Sequence, residues 1–474
     1  DPQPGDGVRR LPAPRRRQRR ATPLFTHGLM PAQQPYDLVV IGGGPAGLSH
    51  AFWQLRERPD LRLLVLEAAP RVGGWVNTVH VDGFQLELGP QGFRPDESIH
   101  AFLDATRLTP HVVPCSDSAK RRFVVRGGRA HELPSGPGSL LGSKLLSLAG
   151  KLRLLWEPRV RSRSPDGESV AAFVARRFGR QAAPLAEAMM HGIYAGDAHA
   201  LEIASTMPLA TELEREHGSV LRGMAKRRRQ RDTAPAPAVC TFTRGMQQSV
   251  DELAVRVGPR VRTDAVVTGI TRAGGTFEVA VAGSQELLRA REVCVTAPPG
   301  PSARMLRALD PTLADELAAI PTVNVASTYL GYAPGAVPDS VDGFGALAPQ
   351  GEAGSVLGVI FSSRVFPRQA PDGHVLFRVM SGGFAHPAEV DRDDDALAAQ
   401  AVDVMQRWFG VTAAPILRHV SRARAAIPQY VRGHAARLAS IAQRVERHDG
   451  LQLRGASYRK VSVVGQWTQE GSRP

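Results

Sequence analysis

The sequence predicts an α/β fold built on a Rossmann-like dinucleotide-binding domain, and three observations predict it. Residues 37–41, Asp-Leu-Val-Val-Ile, suit a buried parallel strand and lead straight into Gly42-Gly43-Gly44-Pro45-Ala46-Gly47, after which a helical pattern runs through Leu48, Ala51, Phe52 and Leu55. A second buried-strand run, residues 61–66, ends at Glu67. Strand-like sequence returns far downstream at 261–270 and 292–296, behind helix-forming residues 248–257.

Taken in order, each piece has a physical task. Gly42 permits the tight strand-to-helix turn, Gly44 lets main-chain N–H groups approach a pyrophosphate, and Gly47 lets helix and strand pack closely. Pro45 and Ala46 open the helix whose positive end faces the phosphates. Glu67, at the tip of the second strand, can accept hydrogen bonds from a ribose diol and disfavours a 2′-phosphate. Val266 and Val267 are available to cover an adenine, and the strand at 292–296 runs into Ala297-Pro298-Pro299.

Composition narrows the function classes. At 474 residues and 43% hydrophobic content the chain is long enough for two or three domains with buried cores. It has no uninterrupted apolar run of the roughly 18 residues that a spanning helix needs. The Leu-rich stretch 140–156 is broken by Gly142, Lys144, Gly150, Lys151 and Arg153. Of the net charge of +14, most sits in two places: seven arginines against Asp1 and Asp6 within residues 1–20, and five basic residues within 226–231. Neither stretch interleaves aromatics, so solvated basic segments are expected and nucleic-acid binding is not. Cys115, Cys240 and Cys294 lack metal-ligand spacing, which argues against a disulfide framework or a zinc site. Residues 1–20 are Arg-rich like a mitochondrial transit sequence, yet Pro4, Pro12 and Pro14 spoil an amphipathic helix; a true start at Met30 is the competing expectation.

The next residues select the dinucleotide. Arg71-Val72-Gly73-Gly74-Trp75 follows the second strand and resembles the second glycine motif of the flavin amine-oxidase superfamily, which implies FAD with Arg71, Gly74 and Trp75 in contact. Within that superfamily, a series of strings resembles the protoporphyrinogen oxidase family in order and spacing. They are Gly73-Gly74-Trp75, Glu87-Leu88-Gly89-Pro90, Arg122-Phe123, Gly192-Ile193-Tyr194-Ala195-Gly196, Gly343-Phe344-Gly345, Ile427-Pro428-Gln429-Tyr430 and Gly455-Ala456-Ser457-Tyr458, and they span most of the chain.

The resemblance implies oxidation of protoporphyrinogen IX to protoporphyrin IX in heme biosynthesis, with FAD as cofactor, dioxygen as acceptor and hydrogen peroxide as product. It assigns no catalytic side chain, because the flavin N5 accepts the hydride. Besides the glycine motifs it implies cofactor contacts at Leu88, Gly89, Pro90, Val267, Ala297, Val461 and Val463. Substrate contacts are implied at Arg122, Gly192, Phe344, Gly345, Leu347 and Met380. Arg122 would meet a propionate, because a planar guanidinium can bind both carboxylate oxygens; beside Lys120 and Arg121 it reads equally well as part of a solvated basic face. Phe344, Leu347 and Met380 would sandwich the macrocycle, although such residues in strand sequence also suit a core. His191 is not assigned as a base, and no metal is implied.

The domain order implied is an extension at 1–35, an FAD-binding domain in three pieces at 36–93, 223–303 and 449–474, a mostly helical membrane-associated domain at 94–222 and a mixed-sheet substrate domain at 304–448. Leucines at 140, 141, 145, 146, 148, 152 and 155 cover one helical side, which suits either a membrane interface or packing within the domain. The family attaches peripherally to the mitochondrial inner membrane, and a homodimer is a further expectation. Two departures stand out. Gln91 occupies a position where many relatives carry Arg. After Tyr458, Lys460 and Val464-Gly465 break the family pattern, and residues 466–474 lack the periodicity and length of a helix that would face the flavin. Weak FAD binding and impaired activity are therefore expected. Another flavin amine oxidase or desaturase, and a flavin-poor form acting by interaction, are the alternatives.

Overall fold

The computed structural model describes residues 34–134, 139, 142, 143, 145–230, 238–459 and 461–468. The expectations for residues 1–33, for Leu140, Leu141, Lys144, Arg231 and Lys460, and for 469–474 lie outside the described residues. Along the chain run β1 (Tyr36–Ile41), α1 (Pro45–Glu57), β2 (Leu63–Leu66), β3 (Thr78–Val81), β4 (Phe84–Glu87), α2 (Glu97–Thr106), β5 (Val112–Pro114), β6 (Phe123–Arg126) and β7 (Arg129–Glu132). A helical stretch follows with α3 (Leu148–Leu155), α4 (Val170–Phe178), α5 (Ala183–Tyr194), α6 (Pro208–His217) and α7 (Val220–Gln230). Next come β8 (Cys240–Phe242), α8 (Gln247–Val257), β9 (Val261–Arg262), β10 (Val267–Ala273), β11 (Thr276–Val281) and β12 (Leu288–Val295). The chain continues through β13 (Thr322–Tyr332), β14 (Gly345–Leu347), β15 (Val356–Ile360), β16 (Val375–Gly382), β17 (Leu417–Pro428), β18 (Leu451–Leu453) and α9 (Val464–Trp467).

β1 sits inside the first sheet because both of its faces are apolar. Val39 and Ile41 pack into one core with Leu306, Leu313 and Leu317. Leu38 and Val40 pack into the other with Leu48, Ala51 and Phe102. A strand covered on both sides reads as a continuous hydrophobic run, as this one does. The order is β10-β11-β12-β1-β2-β9, with β1 parallel to β2 and β12, and β18 parallel to β12 along Val293–Val295. The run at 261–270 thus divides into two strands at opposite edges of the sheet, β9 and β10.

The second sheet has the order β17-β13-β16-β15-β14-β6-β7. Its last two strands are the hairpin β6–β7, paired in parallel to β14 through Ala346–Phe123 and Leu347–Val124. The stretch 94–222 is therefore not helical throughout, because Val124 and Val125 find their burial in the neighbouring sheet. The basic stretch from Lys226 is also not a loop over its described part: it forms the last turn of α7, where positive charge faces the negative helix end. α7 begins over a buried carboxylate, as Glu157 accepts from the Val220 and Leu221 N–H groups and from Ser219 Oγ while pairing with Arg177.

The leucine-rich stretch splits. Leu145 and Leu146 are buried, whereas Leu148, Leu152 and Leu155 stand exposed at helical spacing on α3 beside exposed Trp156. Among the described residues no helix is long and apolar enough to cross a membrane. In place of a final helix, the end of the described chain forms only the single turn α9, which takes in Gln466 and Trp467, and Trp467 is fully buried. It stacks on Phe102 with ring centroids 4.9 Å apart, and its carbonyl accepts from Ser49 Oγ and Trp53 Nε1 at 2.9 Å each. Burying a side chain of this size stabilises by roughly 1.5–3 kcal/mol or more, which accounts for a turn too short to persist alone.

Candidate active site

The glycine turn is built as the motif requires. Gly42 has φ +112°, a conformation that L side chains avoid. Thr296, at the end of β12, donates its hydroxyl to Ile41 O at 2.9 Å and fills the space that a Cβ on Gly42 would enter. A Cβ on Gly47 would collide with the Gly42 carbonyl oxygen. Gly44 caps α1 without a side-chain bond, and Pro45 and Ala46 follow, so the first N–H groups of this 13-residue helix are left to an external acceptor such as an anion.

Across from it lies the second glycine motif. Gly73 N–H donates to Gly43 O at 2.8 Å, and a Cβ on Gly44 would lie 4.0 Å from the Gly74 Cα, so two bare main chains face one another. An extended dinucleotide fits such a cradle. Glu67 supports it: Oε2 accepts from Gly43 N–H at 2.6 Å and Oε1 from Ala69 N–H at 2.8 Å, leaving acceptor capacity on both oxygens for a diol.

Two expected cofactor contacts change character. The Arg71 guanidinium donates to Val72 O at 2.9 Å, Gly74 O at 2.8 Å and Val76 O at 3.2 Å, so it braces its own turn rather than reaching outward. Val267 is 9% exposed and belongs to the core under the sheet, whereas its neighbour Val266 is 46% exposed; adjacent strand residues point to opposite faces. Gly89 packs directly on the Trp75 carbonyl, and Leu88 N–H donates to Asn77 O at 2.8 Å, which brings the 88–90 loop against the second glycine motif. Ala297 sits at the sheet end and accepts from Ser302 Oγ at 2.9 Å. Val461 and Val463 separate: the first packs with the helical cluster around Tyr430, the second with the core of α1, α2 and Trp467.

The expected substrate residues gather on the second sheet. Leu347 is opposite Gly358, and Gly358 is opposite Met380, so Leu347 and Met380 flank a glycine on one face. From α5, Gly192 approaches the same point, since a Cβ there would come within 2.9 Å of the Leu347 methyls. Gly345, at φ +145°, lets β14 close on the Val359 carbonyl. Phe344 is fixed at both ends of its peptide unit, its N–H donating to Arg121 O at 2.7 Å and its carbonyl accepting from Phe361 N–H at 3.0 Å.

Arg122 lies over the Phe344 ring at 5.2 Å. Its neighbours are neutralised, Lys120 by Asp117 at 2.7 Å and Arg121 by Glu132 at 3.1 Å, whereas Arg122 forms no ion pair among the described residues. Burial and then the charge of Arg94 hold its pKa below the usual value, so a bound anion would stabilise the charged form of Arg122. His191 donates Nδ1–H to Ala348 O at 2.6 Å, a packing role. Gln91 donates to Gln369 Oε1 at 2.6 Å.

The strings around 192–196, 427–430 and 455–458 meet. Gln429 Nε2 donates to Tyr194 O at 2.8 Å, and the Tyr430 hydroxyl contacts the carbonyls of Ala456 and Arg459. Four residues that matter for the geometry carried no sequence motif: Thr296, Ser327, Tyr329 and Arg378. For Arg378 alone there was a signal, a charge inside the apolar run of β16.

Comparison with known proteins identifies the family. The sequence profile described as "Flavin containing amine oxidoreductase" matches residues 45–468. The chain is 30% identical over 463 residues to protoporphyrinogen oxidase of Homo sapiens, covering 90% of this chain and 95% of that protein. It is 27% identical over 447 residues to coproporphyrinogen III oxidase of Bacillus subtilis (strain 168), covering 90% and 94%. Among solved structures, a provisionally named protoporphyrinogen oxidase from Exiguobacterium sp. 255-15 superposes with a TM-score of 0.78 at 23% identity, over 91% of this chain and 96% of the other. Cyclohexylamine oxidase from Brevibacterium oxydans IH-35A does so with a TM-score of 0.68 at 15% identity, over 93% and 96%.

Proposed function

Since the chain belongs to the flavin containing amine oxidoreductases, in their porphyrinogen oxidase branch, we propose that it oxidises protoporphyrinogen IX to protoporphyrin IX in heme biosynthesis, with dioxygen as final acceptor and hydrogen peroxide as product. FAD is its cofactor, and when bound it supplies the hydride acceptor. The chain's own residues bind and orient. The N-terminus of α1 with Gly44, Pro45 and Ala46 takes the pyrophosphate, Glu67 takes a ribose diol, and Gly74, Trp75 and the 88–90 loop line the way toward the second sheet.

On that sheet, Leu347 and Met380 offer an apolar face for a large ring, Phe344 closes one side, and Arg122 takes a propionate. Holding the ring at a fixed distance and angle supplies most of the catalysis that side chains contribute to such a transfer. The observation that carries the reading is the register Leu347–Gly358–Met380, which puts two apolar side chains on one face of the sheet, together with Arg122 over Phe344, a cation that forms no ion pair among the described residues. Coproporphyrinogen, with more propionates, is the second reading, favoured by the Bacillus subtilis relative.

The purified chain, loaded with FAD, should convert protoporphyrinogen IX to a fluorescent porphyrin and consume dioxygen. Faster conversion of coproporphyrinogen would favour the second reading, and conversion of neither would end both. We also propose peripheral attachment to the mitochondrial inner membrane through the exposed Leu148, Leu152, Leu155 and Trp156 of the α3 region. Replacing the three leucines by serine should release the protein from anionic vesicles in a flotation assay; unchanged flotation would place the contact elsewhere.

A further inference from the structure

A buried charged residue holds the junction between the two halves of the site. β16 reads Val-Leu-Phe-Arg-Val-Met-Ser-Gly, and its charge, Arg378, is 7% exposed. Arg378 is two residues from Met380, so the two side chains share a face of the pleated sheet. From that face Nη1 donates to Gly89 O at 2.6 Å and Nη2 to Leu88 O at 3.4 Å, while Nε and Nη2 donate to Ser327 Oγ at 3.1 and 3.0 Å. Beside it on β13, Tyr329 donates its hydroxyl to Glu87 O at 2.6 Å. The consecutive carbonyls of Glu87, Leu88 and Gly89 are thus all held by side chains of the second sheet.

The Glu87 carboxylate completes the arrangement. It is 1% exposed and accepts from Thr78 Oγ1 at 2.8 Å, Met246 N–H at 3.1 Å and Gln85 Nε2 at 3.3 Å. Burial pushes it up to about 7, against the pull of the Thr78 and Met246 hydrogen bonds and the Arg378 charge. Charges this deeply buried add little net stability compared with apolar residues of the same volume, so packing alone is a weak reason to place them here.

The place itself supplies a better one. Gly89 abuts the Trp75 carbonyl, Trp75 follows Gly74, and Gly74 faces Gly44 across the dinucleotide cradle. A redox ring that reaches from the pyrophosphate toward the Leu347 and Met380 face has to pass this main chain. We propose that Arg378 is a positioning residue for that ring: it fixes the 87–89 main chain at the cofactor–substrate junction and sets a buried positive charge there that favours the electron-rich state of the bound cofactor. The proposal rests on the reading of the second sheet as the substrate side.

The test uses Arg378→Lys, which keeps the charge but cannot reach Ser327 and both carbonyls at once, and the double variant Arg378→Met with Glu87→Gln, which removes both charges together. Each is compared with the parent for thermal midpoint, FAD dissociation constant by fluorescence quenching, visible absorption bands and the reduction midpoint of the bound flavin. Arg378→Lys should keep its thermal midpoint while weakening FAD binding at least threefold and shifting the absorption bands. Below pH 7, where Glu87 is mostly protonated and the double variant removes only the positive charge, that variant should lower the reduction midpoint. Folded variants with the parent's FAD affinity, spectrum and reduction midpoint would overturn the proposal. Failure of both variants to fold would do the same, since it would assign Arg378 to the fold alone. If the parent oxidises no porphyrinogen yet the variants alter its flavin as described, the proposed function fails while the role of Arg378 stands.

Discussion

The Thr296 hydroxyl occupies the space that a side chain on Gly42 would need, and its bond to Ile41 O ties the end of β12 to the glycine turn. Two strands about 250 residues apart are joined at the turn proposed to bind the pyrophosphate.

Thr296→Val keeps the branched shape and loses that bond, worth about 0.5–1.5 kcal/mol. FAD affinity, measured by flavin fluorescence quenching, should fall by a factor of about 2 to 10. Gly47→Val, which drives two methyl groups toward the Gly42 carbonyl, should purify without yellow colour; normal flavin content would refute the turn geometry.

Arg122→Ala should raise KM for the carboxylated substrate by about tenfold or more with kcat little changed, since a charge-assisted bond contributes about 1.5–3 kcal/mol. Arg121→Ala, which removes a residue already paired with Glu132, should leave KM within about twofold, as exposed ion pairs carry little energy. A larger effect at Arg121 than at Arg122 would reverse the assignment.

Acid should destabilise the fold in a defined window. His50 is buried with no hydrogen-bond partner for Nε2 among the described residues, and burial, aided by the charges of Arg454, Arg459 and Arg58, holds it down from 6.5 to about 3; burial likewise holds His434 down to about 4. The folded state therefore binds fewer protons here than the unfolded state. The stability that goes with the neutral rings is complete above 6.5 and is lost as pH falls toward 4, at about 1.4 kcal/mol per pH unit for each histidine. Glu87 acts oppositely, its contribution being lost as pH rises from 4.5 through about 7. Urea denaturation across this range should show stability rising with pH, with a flatter slope in His50→Gln and a steeper one in Glu87→Gln. An unchanged slope in both would show that neither group titrates as the burial implies.

Glu157→Gln should cost about 3 kcal/mol, because it removes one of the two buried counter-charges of Arg177, leaving Glu214 at 3.4 Å, and weakens the anchor for the start of α7. Limited proteolysis should then open the segment after α4 first. A thermal midpoint equal to the parent's would mean that water replaces the carboxylate.

The nucleotide half was legible because each of its residue types has one physical use: a left-handed turn at Gly42, close contact at Gly47, an acceptor at Glu67. Main-chain demands of that kind leave a mark in sequence. The bracing of its own turn by Arg71 and the inward face of Val267 were not legible, since a guanidinium or an isopropyl group serves equally well on either side of a loop or strand. The β6–β7 hairpin was missed among helices because its partner β14 lies more than 200 residues away in sequence. For the same reason Thr296, Ser327 and Tyr329 carried no signal: their value comes from partners that only the folded chain brings near.

The parallel pairing of β18 with β12 bears on how the protein is made. The strand beside Val293–Val295 is synthesised some 150 residues later, so a nascent chain cannot finish this sheet until Leu453 has left the ribosome. Capture of the cofactor is then a late event in biosynthesis, and slow release or early stalling would leave an apolar strand edge open to aggregation.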